Sequence, residues 1–156
     1  MPTLALLAAA ASYLVQLGAG IFALSVIGRV VVSAPPRSFS LLGGPHGYDS
    51  SGFWQVMPVI TGVLLLVALV TNWKTRRRAL LLGALAMFVG AGILTGMFLE
   101  PLFAGIIAGG YRDAVDIDLQ RRASTWYSLD WGLRVLDAAA GVALLVALTR
   151  RTTDQA

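Results

Sequence analysis

An all-α, integral membrane four-helix bundle is expected from three observations on this 156-residue chain. It holds four apolar runs, each near or above the roughly 20 residues a helix needs to cross hydrocarbon. Only 13% of its residues are charged, against about 25% in soluble domains. Most of those charges fall in short clusters between the apolar runs, as a membrane topology demands. The length fits a single domain, 1–156.

The first span is placed at about 4–32. It lacks a basic leading segment and is longer than the roughly 7–15-residue core of a signal peptide, so it reads as a span and not a cleaved leader. The second is placed at about 53–73, the third at about 79–108 and the fourth at about 129–148. A lone span in lipid must satisfy its own backbone polar groups, so all four are helices. Two longer connections remain, 33–52 and 109–128. The first, "SAPPRSFSLLGGPHGYDSSG", is dense in Pro, Gly and Ser and reads as an irregular cap over the bundle. The second has no Pro or Gly between Tyr111 and Trp126 and is able to extend the fourth helix outward. In it Asp118 has helical spacing to Arg121 and Arg122.

Orientation follows Lys and Arg. The loop "KTRRR", 74–78, carries four positive charges and no acid, and Arg150 and Arg151 lie on the same side. On the other side the arginines of 109–128 are diluted by Asp113, Asp116 and Asp118. Both termini are therefore expected in the cytoplasm of a bacterial inner (plasma) membrane. The net charge of +4 is spent on this topology, so no nucleic-acid partner is expected. With no cysteine and a single histidine, His46, disulfides, thiolate chemistry and a multi-histidine metal site are excluded; no metal and no cofactor is expected.

The chemistry-bearing residues gather in one half of the bundle. Asp130, Arg134 and Asp137 are spaced i, i+4, i+7, one stripe along about two helical turns. Trp126 continues that stripe outward and Gly141 inward. The third helix carries Gly92, Gly96 and Glu100 at spacing four, followed by Pro101, which kinks the helix there. Gly92 and Gly96 form a GxxxG able to admit a second helix closely. The first helix carries Ser12, Gln16 and Gly20, and the second opens with Trp54, Gln55 and Pro58. Charged residues inside a bilayer normally face the bundle interior and pair. The expected site is thus a polar pocket in the outer half, with Glu100, Asp130 and Arg134 as catalytic candidates and Gln16, Gln55, Trp126 and Asp137 as ligand-binding ones. The inner half, "LLLVALV" and "GVALLVAL", is apolar filler.

These features resemble a family of small four-span membrane proteins that includes the anthrone oxygenases of polyketide pathways. The likeness rests on "GAGIFALSV" in the first helix, the basic loop after the second, "MFLEP" ending the third, and "WYSLDWGLR" opening the fourth. Where that family commonly has an Asn before the Arg, this chain has Asp130. The resemblance implies a four-helix membrane bundle, Trp126 and Arg134 as functional positions and, for some members, oxygenation of an electron-rich polycyclic phenol without metal or flavin. In that chemistry Glu100 or Asp130 is the base and Arg134 stabilises the anion.

Two functions are therefore carried forward. One is binding or transformation of a lipophilic aromatic or quinone-like molecule. The other is a non-catalytic module, that is a subunit, chaperone or small transporter, whose ionic cluster is structural. Membrane lipid is a partner in either, and the small-residue stripes "AAAAS" and "AAAG" leave room for a homo-oligomer or for packing within the chain.

Overall fold

Four long helices form the molecule: α1 Pro2–Ser33, α2 Ser51–Thr71, α3 Arg78–Ile107 and α4 Ile117–Thr149, each long and apolar enough to cross a membrane. The computed structural model describes residues 1–43 and 46–150; Gly44 and Arg151 of the segments above lie outside them. Consecutive helices pack together and α4 closes the ring on α1, with α1 facing α3 and α2 facing α4 across the bundle. We call the end holding the start of α1, the α2–α3 turn and the end of α4 the base, and the opposite end the mouth. Large apolar side chains such as Leu7, Val15, Val63, Val70, Phe98 and Val135 are exposed on the outside, which is the surface acyl chains require.

The base half is closely packed. Leu6, Ala9, Ala10 and Tyr13 of α1 meet Leu65 and Ala68 of α2, Leu81 and Ala84 of α3, and Ala140, Leu144 and Ala147 of α4. Alanine at these crossings lets backbones approach, the usual source of helix cohesion in lipid. Within the small-residue stripes Ala9, Ala10 and Ala140 are buried in the chain's own packing, while Ala8, Ala11 and Ala139 are exposed. A hydrogen bond of 2.8 Å between Ser12 and Thr61 ties α1 to α2. At the very base, Arg77 is 4% exposed and donates from Nε and Nη2 to the Arg150 carbonyl at 2.9 and 2.6 Å, and from Nη1 to Thr3 at 3.1 Å. A cation on the last carbonyls of α4 also suits that helix's dipole.

The mouth half is irregular. α4 starts at Ile117, so its first three turns are drawn from residues expected in a connection; Asp116 caps it, accepting from Asp118 and Leu119 N–H at 3.0 Å each. Asp118 and Arg121 pair at 3.3 Å on its exposed face. Just past the end of α3 at Ile107, Gly110 donates its N–H to the Ile107 carbonyl at 3.0 Å and has a positive φ of 61° that a side chain would strain. Between α1 and α2 the chain folds over the mouth: a short 3-10 turn, Arg37–Leu41, buries Phe39 against Val31, Ile106 and Ala123.

Three helices are disrupted in this half. In α1 residues Ala23–Gly28 form a π-helical turn, with the Arg29 N–H reaching back to Leu24. The Ser25 hydroxyl competes there for the Ile21 carbonyl at 2.7 Å. In α3 residues Thr95–Leu99 do the same, with the Glu100 N–H on Thr95. The cause is Pro101, which has no N–H for the normal i→i−4 bond. In α2, Pro58 leaves the Trp54 carbonyl without its helical donor.

Candidate functional site

The site is built on α4. Arg134 donates from Nη2 to Asp130 Oδ1 at 3.0 Å and pairs through Nη1 with Asp137 Oδ2 at 2.9 Å. Helical spacing alone makes both contacts, since i,i+4 and i,i+3 residues are neighbours on a helix. The Tyr13 hydroxyl on α1 donates to Asp137 Oδ1 at 3.1 Å. Gly20, one helical turn and more beyond Tyr13, faces the guanidinium: a Cβ there would lie 2.7 Å from Arg134 Nη1. Glycine is thus what allows α1 to close on a side chain of this bulk. A charge near the bilayer centre costs at least about 2.5 kcal/mol unless it is partnered, and each member of this array has an opposite charge beside it.

Above the array lies a cavity of about 1070 Å³, at the upper end of the roughly 300–1,000 Å³ typical of small-molecule pockets. Both π-helical turns and Pro58 are in its wall, which also takes Phe88, Phe103 and Trp126. Tyr48, Asp49 and Ser50 of the connection form its lid. Trp126 stacks on Phe103 with ring centres 4.5 Å apart and an interplanar angle of 31°. Asp49 Oδ1 accepts from the Ser51 N–H at 2.8 Å, and this bond holds its carboxyl below the usual range.

Of the residues expected at the site, Gln16, Trp126, Asp130, Arg134 and Asp137 all line this cavity. Glu100 lines it too, but is exposed and makes no ion pair among the described residues. Both Nη groups of Arg134 are taken by carboxylates of its own helix. Gln55 is the exception. Trp54 and Pro58, four apart, turn inward, and Gln55 is exposed outside the lining. The GxxxG of α3 also behaves differently from its expected role. Gly92 and Gly96 line the cavity, and no atom lies within 4 Å of the point where a Cβ would stand at either. They widen a void and bring no helix closer.

Two buried polar atoms on the cavity wall have no hydrogen-bond partner, the donor Arg134 Nε and the acceptor Gln16 Oε1. Buried groups of this kind usually mark a site that something else completes. Tyr13 and Thr61 were not expected from sequence. Tyr13 was detectable: it stands seven residues before Gly20, on the face of α1 that carries Gln16, and a tyrosine hydroxyl in lipid requires an acceptor. No family model, curated protein or solved structure matches the chain, so its function is read from this site alone.

Proposed function

We propose that this protein binds a lipophilic small molecule of flat aromatic or quinone-like type, its ring body in the cavity and its polar end at Arg134. The observation that carries this reading is the coincidence of the large void with the ionic array at its floor. Apolar walls with a few convergent polar groups are the usual build of a small-molecule site. Trp126, Phe103, Trp54 and Phe88 offer ring faces and edges to a flat ligand. The unpartnered Arg134 Nε and Gln16 Oε1 supply one donor and one acceptor, which suits a ring bearing both a carbonyl and a hydroxyl. The positive-inside pattern supports a mouth on the outer face of the membrane, with both termini cytoplasmic.

The sequence likeness to anthrone oxygenases supports a reactive version of the same site. Asp130, or Glu100 on the neighbouring helix α3, takes a proton from a ring carbon; Arg134 stabilises the anion; the anion passes one electron to O₂, the ring radical and superoxide combine with a proton to a hydroperoxide, and loss of water from it leaves the ring carbonyl. The test begins with binding. A hydroxynaphthoquinone titrated into the protein in nanodiscs quenches tryptophan fluorescence saturably. Arg134→Gln abolishes that saturation while the helical circular dichroism stays unchanged. Undiminished binding in both Arg134→Gln and Asp130→Asn defeats the proposal.

A second reading is supported by the closure of the network. Tyr13 and Gly20 of α1 fit around the array, as a structural lock between helices would. In that case no quinone saturates the wild-type protein, and Arg134→Gln lowers the melting temperature only.

A further inference from the structure

α2 packs against α3 mainly along the base half of α3, residues Arg78–Leu94, and against α1 mainly along Pro2–Phe22; the mouth half of α3, from Thr95 to Ile107, packs on α4 and leaves α2. The two helices therefore part toward the mouth. The residues on either side of the gap line the cavity and are exposed: Val59 on α2 is 64% exposed, Val89 on α3 is 49% exposed, and Gly92 and Gly96 are exposed as well. At about 1.5 Å per residue, Val59 lies about 12 Å below Ser51, and Gly96 and Gly92 about 16 and 22 Å below Ile107. The gap thus runs from the mouth to about mid-membrane and is bordered by apolar side chains, the depth range of acyl chains and not of headgroups.

We propose that this cleft is a lateral portal, through which the ligand passes between the bilayer and the cavity, and that Gly92 and Gly96 keep it open. The inference rests on the cavity's being a binding site for a lipophile. Three observations join in it: the splayed helices, the exposed lining and the absence of any atom within 4 Å of a Cβ at either glycine. A molecule soluble in lipid arrives from lipid, and the covered mouth, with Phe39 tucked under the connection, offers it no comparably apolar path. The glycines would otherwise weaken α3, since each costs roughly 1 kcal/mol in a helix interior relative to alanine. Side chains at both positions would fill the gap without meeting backbone.

The experiment uses the full chain in nanodiscs containing phosphatidylcholine with dibrominated acyl chains. Trp54, Trp73 and Trp131 are replaced by Phe, so that Trp126 on the cavity wall reports alone. Brominated chains quench Trp126 in the parent protein, and Gly92→Leu/Gly96→Leu removes most of that quenching. Gly18→Leu, at an exposed glycine of α1 with nothing within 4 Å, leaves it unchanged and controls for insertion and folding. Equal quenching in parent and double variant overturns the portal. The hydroxynaphthoquinone is the second probe. Saturable binding whose rate is unaffected by the two leucines also overturns the portal, and leaves the binding site intact. Brominated-lipid quenching that the leucines remove, with no saturable quinone binding in the protein that keeps all four tryptophans, keeps the cleft as a route for lipid and removes the quinone reading instead.

Discussion

Gly20 is the residue whose replacement is most sharply constrained. A methyl group there would sit 2.7 Å from Arg134 Nη1 and 3.2 Å from its Cδ. A guanidinium end can ordinarily move, but this one is held at 3.0 Å by Asp130 and 2.9 Å by Asp137. Gly20→Ala is expected to lower stability by about 1–3 kcal/mol, the range for overpacking. A thermal melt in detergent checks it; a neutral or stabilising result would show that Arg134 yields freely. The array itself should be hierarchical. Tyr13→Phe removes one hydrogen bond, worth about 0.6 kcal/mol on average inside a membrane. Arg134→Gln leaves two carboxylates facing each other without their cation, and breaking a buried pair costs about 3–5 kcal/mol. The same melts, run side by side, should keep that order; near-equal losses would mean that Tyr13 is as central as the ion pair. Much of this was legible beforehand, because Asp130, Arg134 and Asp137 pair through spacing within one helix. Glu100 and Gln55 were less legible. Their positions depend on where a neighbouring helix ends up and on which face a proline turns inward, and neither is a local property.

At the scale of elements, the cavity is a product of broken regularity. Pro58, Pro101 and the Ser25 back-bond each disturb one helix, and the three disturbances meet at one depth. π-helical turns are frequent at functional sites. Pro101→Ala gives Glu100–Ile107 back a normal donor and should let α3 return to regular helix. The expected outcome is a protein at least as stable to heat, with weaker hydroxynaphthoquinone binding. Retained binding with raised stability would show that the wide turn is incidental to the cavity. The kink at Pro101 was readable from sequence, whereas the turn in α1 was not, since a serine in an apolar helix far more often causes no irregularity. The absence of Pro and Gly from 111–126 made an outward extension of α4 readable too, but not its start, which Asp116 sets by capping at Ile117.

At the scale of the whole molecule, the two ends differ in kind. The base is closed by Arg77, which joins the α2–α3 turn to the last carbonyl of α4 and the first turn of α1. Arg77→Met removes three hydrogen bonds and leaves the Arg150 carbonyl unserved. A loss of about 1–3 kcal/mol is expected, the cost of stranding a buried polar group. Amide exchange should then rise in Thr3–Leu6 and at the end of α4; unchanged exchange there would mean water replaces the guanidinium at no cost. The basic loop was legible as a topology signal, but nothing in its composition separated Arg77, buried at 4%, from the exposed Arg76 and Arg78.

That single arginine has a mechanical corollary. A molecule riveted at one extremity and parted at the other, where the mouth end of α2 leaves its neighbours, would behave as tweezers: load applied at the tips would widen the cleft, while the rivet stays put. Thickness of the surrounding membrane is such a load, because stretching or compressing the leaflet near the tips tilts α2 and α3 individually but cannot part them at the base, where their own turn joins them and Arg77 ties that turn to α1 and α4. Lipid chain length would thereby set the width of the cleft without any effector molecule.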